Sequence, residues 1–172
     1  LRTTDVRQLA QGPLQDIKRW EARGGIPELE AYLDDAGVPT IGFGTTRGVK
    51  MGQRITAKQA EEMLLRDVRE ACNAVDSAVR VTLNDNQFGA LVSLVYNVGS
   101  AAFRSSTLLR KLNNADYDAV PAEMMRWNKI TINGKKKVLP GLTNRRAAEI
   151  GLWARGSEVA GESTLVAGPG KT

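Results

Sequence analysis

Two acidic residues and a threonine near the start of the chain have types and spacing that suit the cleavage of a glycosidic bond. Glu21 ends a helical run, Asp34 follows a short extended segment, and Thr40 comes six residues later. Two carboxylates held across a cleft, with a hydroxyl beside them, are the groups that such a reaction needs. Carboxylates are also common on solvated surfaces, so the spacing alone leaves open that these are ordinary surface charges.

The composition limits the chemistry that the chain can perform. Its 172 residues are 42% hydrophobic and 25% charged, which is typical of one ordinary globular domain. The lack of histidine excludes a histidine-based triad and a His-ligated zinc site, so the chemistry must rest on carboxylates, hydroxyls or lysine. The single cysteine, Cys72, excludes an internal disulfide and is interpreted as a buried structural thiol.

The candidate residues must be positioned by a helix and a small sheet in the first third of the chain. Residues 4–21 are predicted to be helical, with an interruption near Gly12 and Pro13. Residues 30–55 are rich in glycine and in β-forming residues, which predicts a small antiparallel sheet with a turn at Asp35–Gly37.

A long helix is predicted to follow the sheet. Thr56 is its expected N-cap, with Gln59 as the capping-box partner. Apolar residues at helical spacing predict its buried face: Met63, Leu64, Val68, Cys72, Val75 and Val79. The next helix, at about 85–98, contains GALVSLVYNVG, which is too short to span a bilayer and is interpreted as a core helix that stops at Gly99.

The remainder is predicted to be mostly helical. Helices are expected from Ser105 or Ser106 to Leu112, at about 117–128 with a new start at Pro121, and from Thr143 to about Gly156. The Asn-Gly pair in ITINGKKKV indicates a small hairpin or a mobile loop. Trp127 and Trp153 are interpreted as core residues.

Positive charge is concentrated in the second half of the chain. Residues 103–155 carry eleven Lys or Arg and four Asp or Glu, whereas residues 1–102 carry twelve and thirteen. This asymmetry indicates an acidic partner, which could be nucleic acid, anionic lipid or the bacterial cell wall. A solvated basic face that only keeps the protein in solution is the alternative.

Five segments of the chain resemble, in the same order, the lysozymes of T-even and lambdoid-type bacteriophages (glycoside hydrolase family 24). They are IKRWE, LEAYLDDAGVPTIGFGTT, LNDNQFGALVSLVYNVG, FRSSTLLRKLN and PGLTNRRAAE. The resemblance implies an α+β, mostly α fold, in which a cleft separates a small antiparallel β-region from a helical C-terminal lobe. The expected organisation is one lysozyme domain at 1–157, with an N-terminal lobe at about 14–60, a linking helix at about 56–80, a helical lobe at about 81–157 and a flexible tail at 158–172.

The resemblance also implies an activity and a set of site residues. The activity is that of a muramidase, which hydrolyses the β-1,4 bond between N-acetylmuramic acid and N-acetylglucosamine in peptidoglycan during phage-driven lysis. Glu21 matches the general acid, Asp34 the assisting carboxylate and Thr40 the threonine that holds water. Substrate contacts are expected at Thr46, Tyr96, Asn97 and Ser106. The implied enzyme is a monomer that needs no metal or cofactor and is made in the host cytoplasm to act in the periplasm.

Two departures from the family pattern bear on the site. Twelve residues separate Glu21 from Asp34 where the family usually has eight, and the extra residues fall in ARGGIPE, where Gly24 and Gly25 predict an outward turn. Thr45 stands where the family usually has a histidine, so a supporting contact is replaced or lost.

Further expectations concern the geometry around Glu21. A general acid must keep its proton, which partial burial beside apolar groups such as Trp20 would favour. The resemblance implies inversion, for which the carboxyl groups of Glu21 and Asp34 would lie roughly 6.5–9.5 Å apart. The competing acids, Glu28 and Asp35, are interpreted as exposed loop charges.

Three other functions are considered. A lytic transglycosylase would use one acid and close the muramic acid on itself without water. An inactive cell-wall-binding relative would be consistent with the ARGGIPE insertion and with Thr45. A nucleic-acid binder ranks last, because the chain lacks a basic recognition helix with interleaved aromatic residues; no nucleic-acid partner is therefore expected.

Overall fold

The computed structural model describes residues 7–162, with side chains as far as residue 155. This part of the chain contains seven α-helices and two short β-hairpins; one hairpin follows the first helix and the other precedes the last helix. The helices are α1 (Gln11–Glu21), α2 (Ala57–Ala78), α3 (Asp85–Val98), α4 (Ser100–Arg104), α5 (Thr107–Asn113), α6 (Val120–Met125) and α7 (Pro140–Glu162). The strands are β1 (Glu28–Leu33), β2 (Pro39–Gly42), β3 (Lys129–Ile132) and β4 (Lys135–Val138).

The first helix begins later than the sequence predicts. Residues 7–10 are not helical, and α1 starts at Gln11, so Pro13 lies in its first turn and does not interrupt it. Proline is tolerated there because the first N–H groups of a helix have no intrahelical partner. Residues 1–6 of the predicted helix lie outside the described residues.

The predicted small sheet is confirmed as one antiparallel pair. β1 pairs with β2, and the register sets Tyr32 opposite Thr40 and Leu33 opposite Pro39. Asp34 closes the turn between the strands, because its Oδ1 accepts hydrogen bonds from the backbone N–H groups of Ala36 (2.9 Å) and Val38 (2.8 Å). The turn therefore fixes the position of a residue that is itself a catalytic candidate.

The extra residues between α1 and β1 form an exposed turn, as predicted. Arg23–Gly25 make one short 3₁₀ turn, in which Gly24 (φ 65°) and Gly25 (φ 77°) adopt the left-handed conformation. Ile26, just after the turn, is 71% exposed. The extra residues therefore lengthen the connection between α1 and β1 on the solvent side.

The linking helix and the core helix follow the sequence prediction closely. Thr56 and Gln59 form the predicted capping box of α2, and Asn84 and Gln87 form a second one at the start of α3. Gly99 (φ 97°) ends α3. Residues 87–95 of α3 are all buried, and this helix packs against α1, α2 and α7 at the centre of the main core.

The C-terminal part confirms the hairpin and the cap at Ser106. The Ser106 Oγ accepts a hydrogen bond from the backbone N–H of Leu109 at 3.0 Å, and α4 is an additional short helix that the sequence did not predict. Asn133 (φ 51°) and Gly134 (φ 77°) form the tight turn between β3 and β4. Trp153 is buried, and Trp127 is partly buried against the same core.

The last helix is longer at both ends than predicted. It begins at Pro140 and not at Thr143, whose hydroxyl accepts a hydrogen bond from Asn128 Nδ2 at 3.1 Å. It also continues past Gly156 to Glu162, into the segment expected to be a tail. The rest of that segment, 163–172, lies outside the described residues. No helix in the described part of the chain has the length and apolar character needed to cross a membrane.

Candidate active site

Glu21, the last residue of α1, lies where three parts of the fold meet. Its side chain is only 15% exposed, and its Oε2 accepts a hydrogen bond from Nη1 of Arg145 on α7. Its carboxyl group also lies against Gly44, in the loop after β2, so closely that a β-carbon on Gly44 would be 3.1 Å from Glu21 Cδ. The first helix, the last helix and the sheet loop together therefore hold this carboxylate in place.

Arg145 is itself held firmly within the core. Its side chain is 4% exposed, its Nη2 donates to the backbone carbonyl of Ser93 at 3.1 Å, and its Nε donates to Glu149 Oε2 at 3.2 Å. The Ser93 hydroxyl donates to the same carboxylate oxygen at 2.5 Å. Because its other two nitrogens are engaged in this way, the guanidinium presents Nη1 to Glu21 as a fixed donor.

The role of Arg145 was missed in the sequence analysis. PGLTNRRAAE contributed to the resemblance, but no function was assigned to its arginines or to its glutamate. A signal was present, because Arg145 and Arg146 precede Glu149 by four and three residues and so share one side of a helix. Charged residues grouped at that spacing beside apolar neighbours indicate a buried ionic cluster.

Asp34 is partly buried, and the β1–β2 turn engages one of its two carboxylate oxygens. Its Oδ1 is engaged by the backbone of the turn, whereas no hydrogen bond among the described residues uses Oδ2. Thr40 is 3% exposed, and its hydroxyl donates to the carbonyl oxygen of Val38 at 2.8 Å. The threonine oxygen can still accept a hydrogen bond, which is what a group that orients water must do.

The sheet tyrosine links the two candidate carboxylates electrostatically. Burial raises the pKa of the Tyr32 phenol, and the negative charges of Glu21, Glu28, Asp34 and Asp35 raise this pKa further. Glu21 and Asp34 thus act on the same phenol, although they come from different elements. The separation of their carboxyl groups at 6.5–9.5 Å stays a prediction.

The surroundings of Glu21 differ from the expectation in one respect. Trp20 is 39% exposed and lines a cavity of about 510 Å³ on the side of α1 that faces α7, together with Pro13 and Leu152. Glu21 is in contact with Arg145 and Gly44. Its partial burial is therefore as expected, and the ion pair with Arg145 is the feature that the sequence analysis did not expect.

The four predicted substrate contacts do not form one group. Thr46 and Tyr96 line a cavity of about 280 Å³ between the loop after β2, α2 and the end of α3. Asn97 is exposed at the end of α3 and does not line this cavity. Ser106 lines a separate cavity of about 420 Å³ beside Trp127 and the β3–β4 hairpin.

Tyr96 and Thr45 both support the loop that contacts Glu21. The Tyr96 hydroxyl donates to the carbonyl oxygen of Phe43 at 2.6 Å, and burial, followed by the charge of Glu21, raises the pKa of this phenol. Thr45 is 1% exposed, and its hydroxyl donates to Asp67 Oδ2 on α2 at 2.8 Å. The position that usually holds a histidine has therefore kept a supporting contact.

The competing acids lie on the surface. Glu28 and Asp35 are both exposed, as the sequence analysis expected. Neither is held by a buried cation in the way that Glu21 is held by Arg145. Burial and pairing therefore single out Glu21 among the acids of this region.

Comparisons with known proteins show which family this chain is similar to. A family model described as phage lysozyme matches residues 11–149. The endolysin of Acyrthosiphon pisum secondary endosymbiont phage 1 is 44% identical over 137 residues, which cover 80% of this chain and 91% of that protein.

Two solved structures are also similar to this chain. The endolysin from Escherichia coli O157:H7 phage FAHEc1 superposes with a TM-score of 0.74 at 43% identity, over 86% of this chain and 93% of that one. The muramidase domain of SpmX from Asticaccaulis excentricus has a TM-score of 0.73 at 32% identity, over 86% and 98%. These likenesses confirm the fold class expected from the sequence.

Proposed function

The chain belongs to the phage lysozyme family, and we propose that it is a muramidase in which Glu21 is the general acid. It hydrolyses the β-1,4 bond between N-acetylmuramic acid and N-acetylglucosamine in peptidoglycan. The observation that carries this assignment is the placement of Glu21, which is largely buried, paired with Arg145 and pressed against Gly44. Such a fixed and shielded carboxyl group is suited to proton transfer at a defined atom.

Glu21 donates its proton to the oxygen that links the two sugars. As this oxygen accepts the proton, its bond to the anomeric carbon of the muramic acid breaks and positive charge develops on the sugar ring. Arg145 holds the Glu21 carboxyl group throughout, since its hydrogen bond can be accepted by the protonated and by the ionised form.

Asp34 and Thr40 act from the sheet side. The free Oδ2 of Asp34 stabilises the positive charge on the ring and orients a water molecule, while the Thr40 oxygen accepts a hydrogen bond from that water. The water oxygen forms the new bond to the anomeric carbon and its proton passes to Asp34 or to solvent. Glu21 regains a proton from solvent, and the cycle is complete.

The enzyme acts on the bacterial cell wall, and its likeness to phage endolysins supports a role in host lysis. We assign its site of action to the periplasm and its active form to the monomer. Thr46 and Tyr96 are the candidate substrate contacts closest to the acid in the fold, because they line the same cavity as Gly44. The separate cavity beside Ser106 would then receive a more distant part of the substrate.

The decisive experiment compares Glu21→Gln with Glu28→Gln on purified peptidoglycan. Glu21→Gln keeps the shape of the side chain but removes the proton donor, so lysis measured by turbidity falls by ~10² to 10⁴-fold. Glu28→Gln removes an exposed acid from the same region and leaves activity within a few-fold of wild type. The opposite pattern would transfer the role of general acid to Glu28.

Product analysis separates hydrolysis from the transglycosylase alternative. Hydrolysis leaves a reducing N-acetylmuramic acid at each new end, because water supplies the second oxygen. Mass spectrometry of the fragments should therefore show ends that contain the elements of water. Anhydro-muramic ends would exclude hydrolysis and favour a transglycosylase.

A further inference from the structure

Glu149 is a buried carboxylate that the proposed mechanism does not use. It lies on α7 with 3% of its side chain exposed, and Oε2 accepts hydrogen bonds from Arg145 Nε (3.2 Å), Arg146 Nη2 (3.1 Å) and Ser93 Oγ (2.5 Å). Its Oε1 is 2.8 Å from Arg146 Nε. A carboxylate with this many partners in the core is the counter-charge of both guanidinium groups.

The charges of the cluster affect the state of Glu21. Among the described residues, Arg145 forms ion pairs with Glu21 and Glu149, and Arg146 with Glu149. With Glu149 ionised, the cluster of two arginines and two glutamates is neutral when Glu21 is ionised and carries one positive charge when Glu21 is protonated. Without the charge of Glu149, the cluster carries one positive charge when Glu21 is ionised and two when Glu21 is protonated. Loss of that charge therefore disfavours protonated Glu21, the form that a general acid requires.

We propose that Glu149 is a positioning residue for the reaction: it anchors Arg145 beside Glu21 and offsets the two buried guanidinium charges, and so sets the upper pH limit of activity. The inference rests on the proposed role of Glu21 as the general acid. Burial, and after it the charge of Arg145, lower the pKa of Arg146, whereas the charge of Glu149 opposes both effects.

Other charged or titratable groups face Glu21 from the surrounding elements. The charge of Glu21 acts on Tyr32 of β1 and on Tyr96 of α3. Asp34 also acts on Tyr32, and Asp67 and Arg66 of α2 also act on Tyr96. Lys18 is paired with Glu61 at 3.0 Å, and Asp67 accepts the Thr45 hydroxyl. The carboxylate in direct contact with both arginines is Glu149, which makes it the group through which their charge is balanced.

The test measures kcat/KM against pH for Glu149→Gln on purified peptidoglycan. Glutamine keeps the size of the side chain and its ability to accept a hydrogen bond, but removes the charge. The alkaline limb of the profile should move to lower pH by about one unit or more, which is the size expected for loss of one charge in a buried network. Glu149→Asp restores the charge and should return the limb towards its wild-type position.

A matched control distinguishes this effect from damage to a buried ion pair. Glu123 is also buried and also pairs with two cations, Lys111 at 2.9 Å and Arg126 at 3.0 Å, but these belong to a different part of the helical lobe. Glu123→Gln removes a paired carboxylate and should leave the alkaline limb where it is; the position of the limb is the readout, because Glu123 also lines the cavity beside Ser106 and its loss can change kcat/KM itself. An equal shift in both variants would overturn the proposal.

Removal of a positive charge provides a second test, which holds even if Glu149→Gln folds poorly. Arg146→Gln takes away one buried guanidinium and should move the alkaline limb to higher pH, whereas the double variant with Glu149→Gln should return it towards wild type. A purely structural role predicts loss of activity at every pH with no reversal of sign, and that result would refute the inference. If Glu21→Gln retained activity, the proposed general acid itself would be wrong.

Discussion

Gly44 is predicted to control the position of the catalytic acid through steric contact. A β-carbon at this residue would be 3.1 Å from Glu21 Cδ and 3.4 Å from Glu21 Cβ, and closer still to Oε1. Carbon atoms that are not bonded normally stay at about 3.5–4.0 Å, so Gly44→Ala must push the carboxyl group aside. A shift of about 1 Å at the reacting group can reduce the rate by ~10²-fold, and we expect a loss of that size.

Gly52 provides the matched control for this substitution. It has φ 93°, against 86° for Gly44, but no heavy atom lies within 4 Å of the position where its β-carbon would be. The left-handed conformation costs an alanine about 1–2 kcal/mol at either site, which corresponds to a fall in Tm of about 2–8 °C for a domain of this size. The two variants should therefore be destabilised alike and differ in activity.

Turbidity assays and thermal unfolding measured on the same preparations test this directly. The informative quantity is the ratio of kcat/KM between the two variants, because the backbone strain is common to both. If Gly44→Ala and Gly52→Ala differed in activity by less than about threefold, contact with Gly44 would not position Glu21. A large loss of stability in Gly44→Ala alone would instead indicate that the loop, and not the carboxyl group, had moved.

Further predictions concern Asp34, the stereochemistry, the basic half of the chain and the thiol. Asp34→Asn keeps an oxygen for the turn and should retain stability but lose ~10² to 10⁴-fold in activity, whereas Asp35→Asn should be nearly silent in the same assay. NMR of the first product formed should show inversion at the anomeric carbon, and retention would contradict the proposed role of water. Activity on whole peptidoglycan should fall above ~0.1 M salt, where the Debye length is about 10 Å, and activity on a short neutral oligosaccharide should not; identical salt curves would mean that the basic half is only a solvated face. Burial raises the pKa of Cys72 to about 11, so the native thiol should resist alkylation at pH 8 and react once the protein is unfolded; rapid labelling of the native protein would contradict its burial.

Local signals in the sequence predicted much of the fold. Thr56 with Gln59, Gly99 and the Asn133–Gly134 pair each act within a few residues, and the structure has a helix start, a helix end and a hairpin turn at those places. The predicted start of α7 was wrong because Thr143 was taken as the cap, whereas the helix begins at Pro140 and Thr143 N already donates to Leu139 O. Proline is favoured at the first position of a helix, so a local signal for the observed start was present and was not used.

The candidate site, too, could be predicted from the sequence only in part. The family resemblance selected Glu21, Asp34 and Thr40, since their spacing alone left ordinary surface charges open, and local turn chemistry accounts for the position of Asp34. The partner of Glu21 could not be predicted in this way, because Arg145 is separated from it by 124 positions and is brought to it by packing. The partial burial of Glu21 was expected from the sequence, but the arginine that pairs with it was not.

The pairing of the first helix with the last has a consequence for the time at which the enzyme becomes active. Ribosomes deliver Glu21 early and Arg145 near the end of the described chain, and the carboxyl group has its anchor only when both are present. An incomplete nascent chain, or a fragment cut before α7, contains every residue of the sheet-side machinery and yet leaves its acid unanchored. We therefore expect the acid to be fixed in place only in molecules that already include α7, so that the order of synthesis delays the assembly of the proposed catalytic centre.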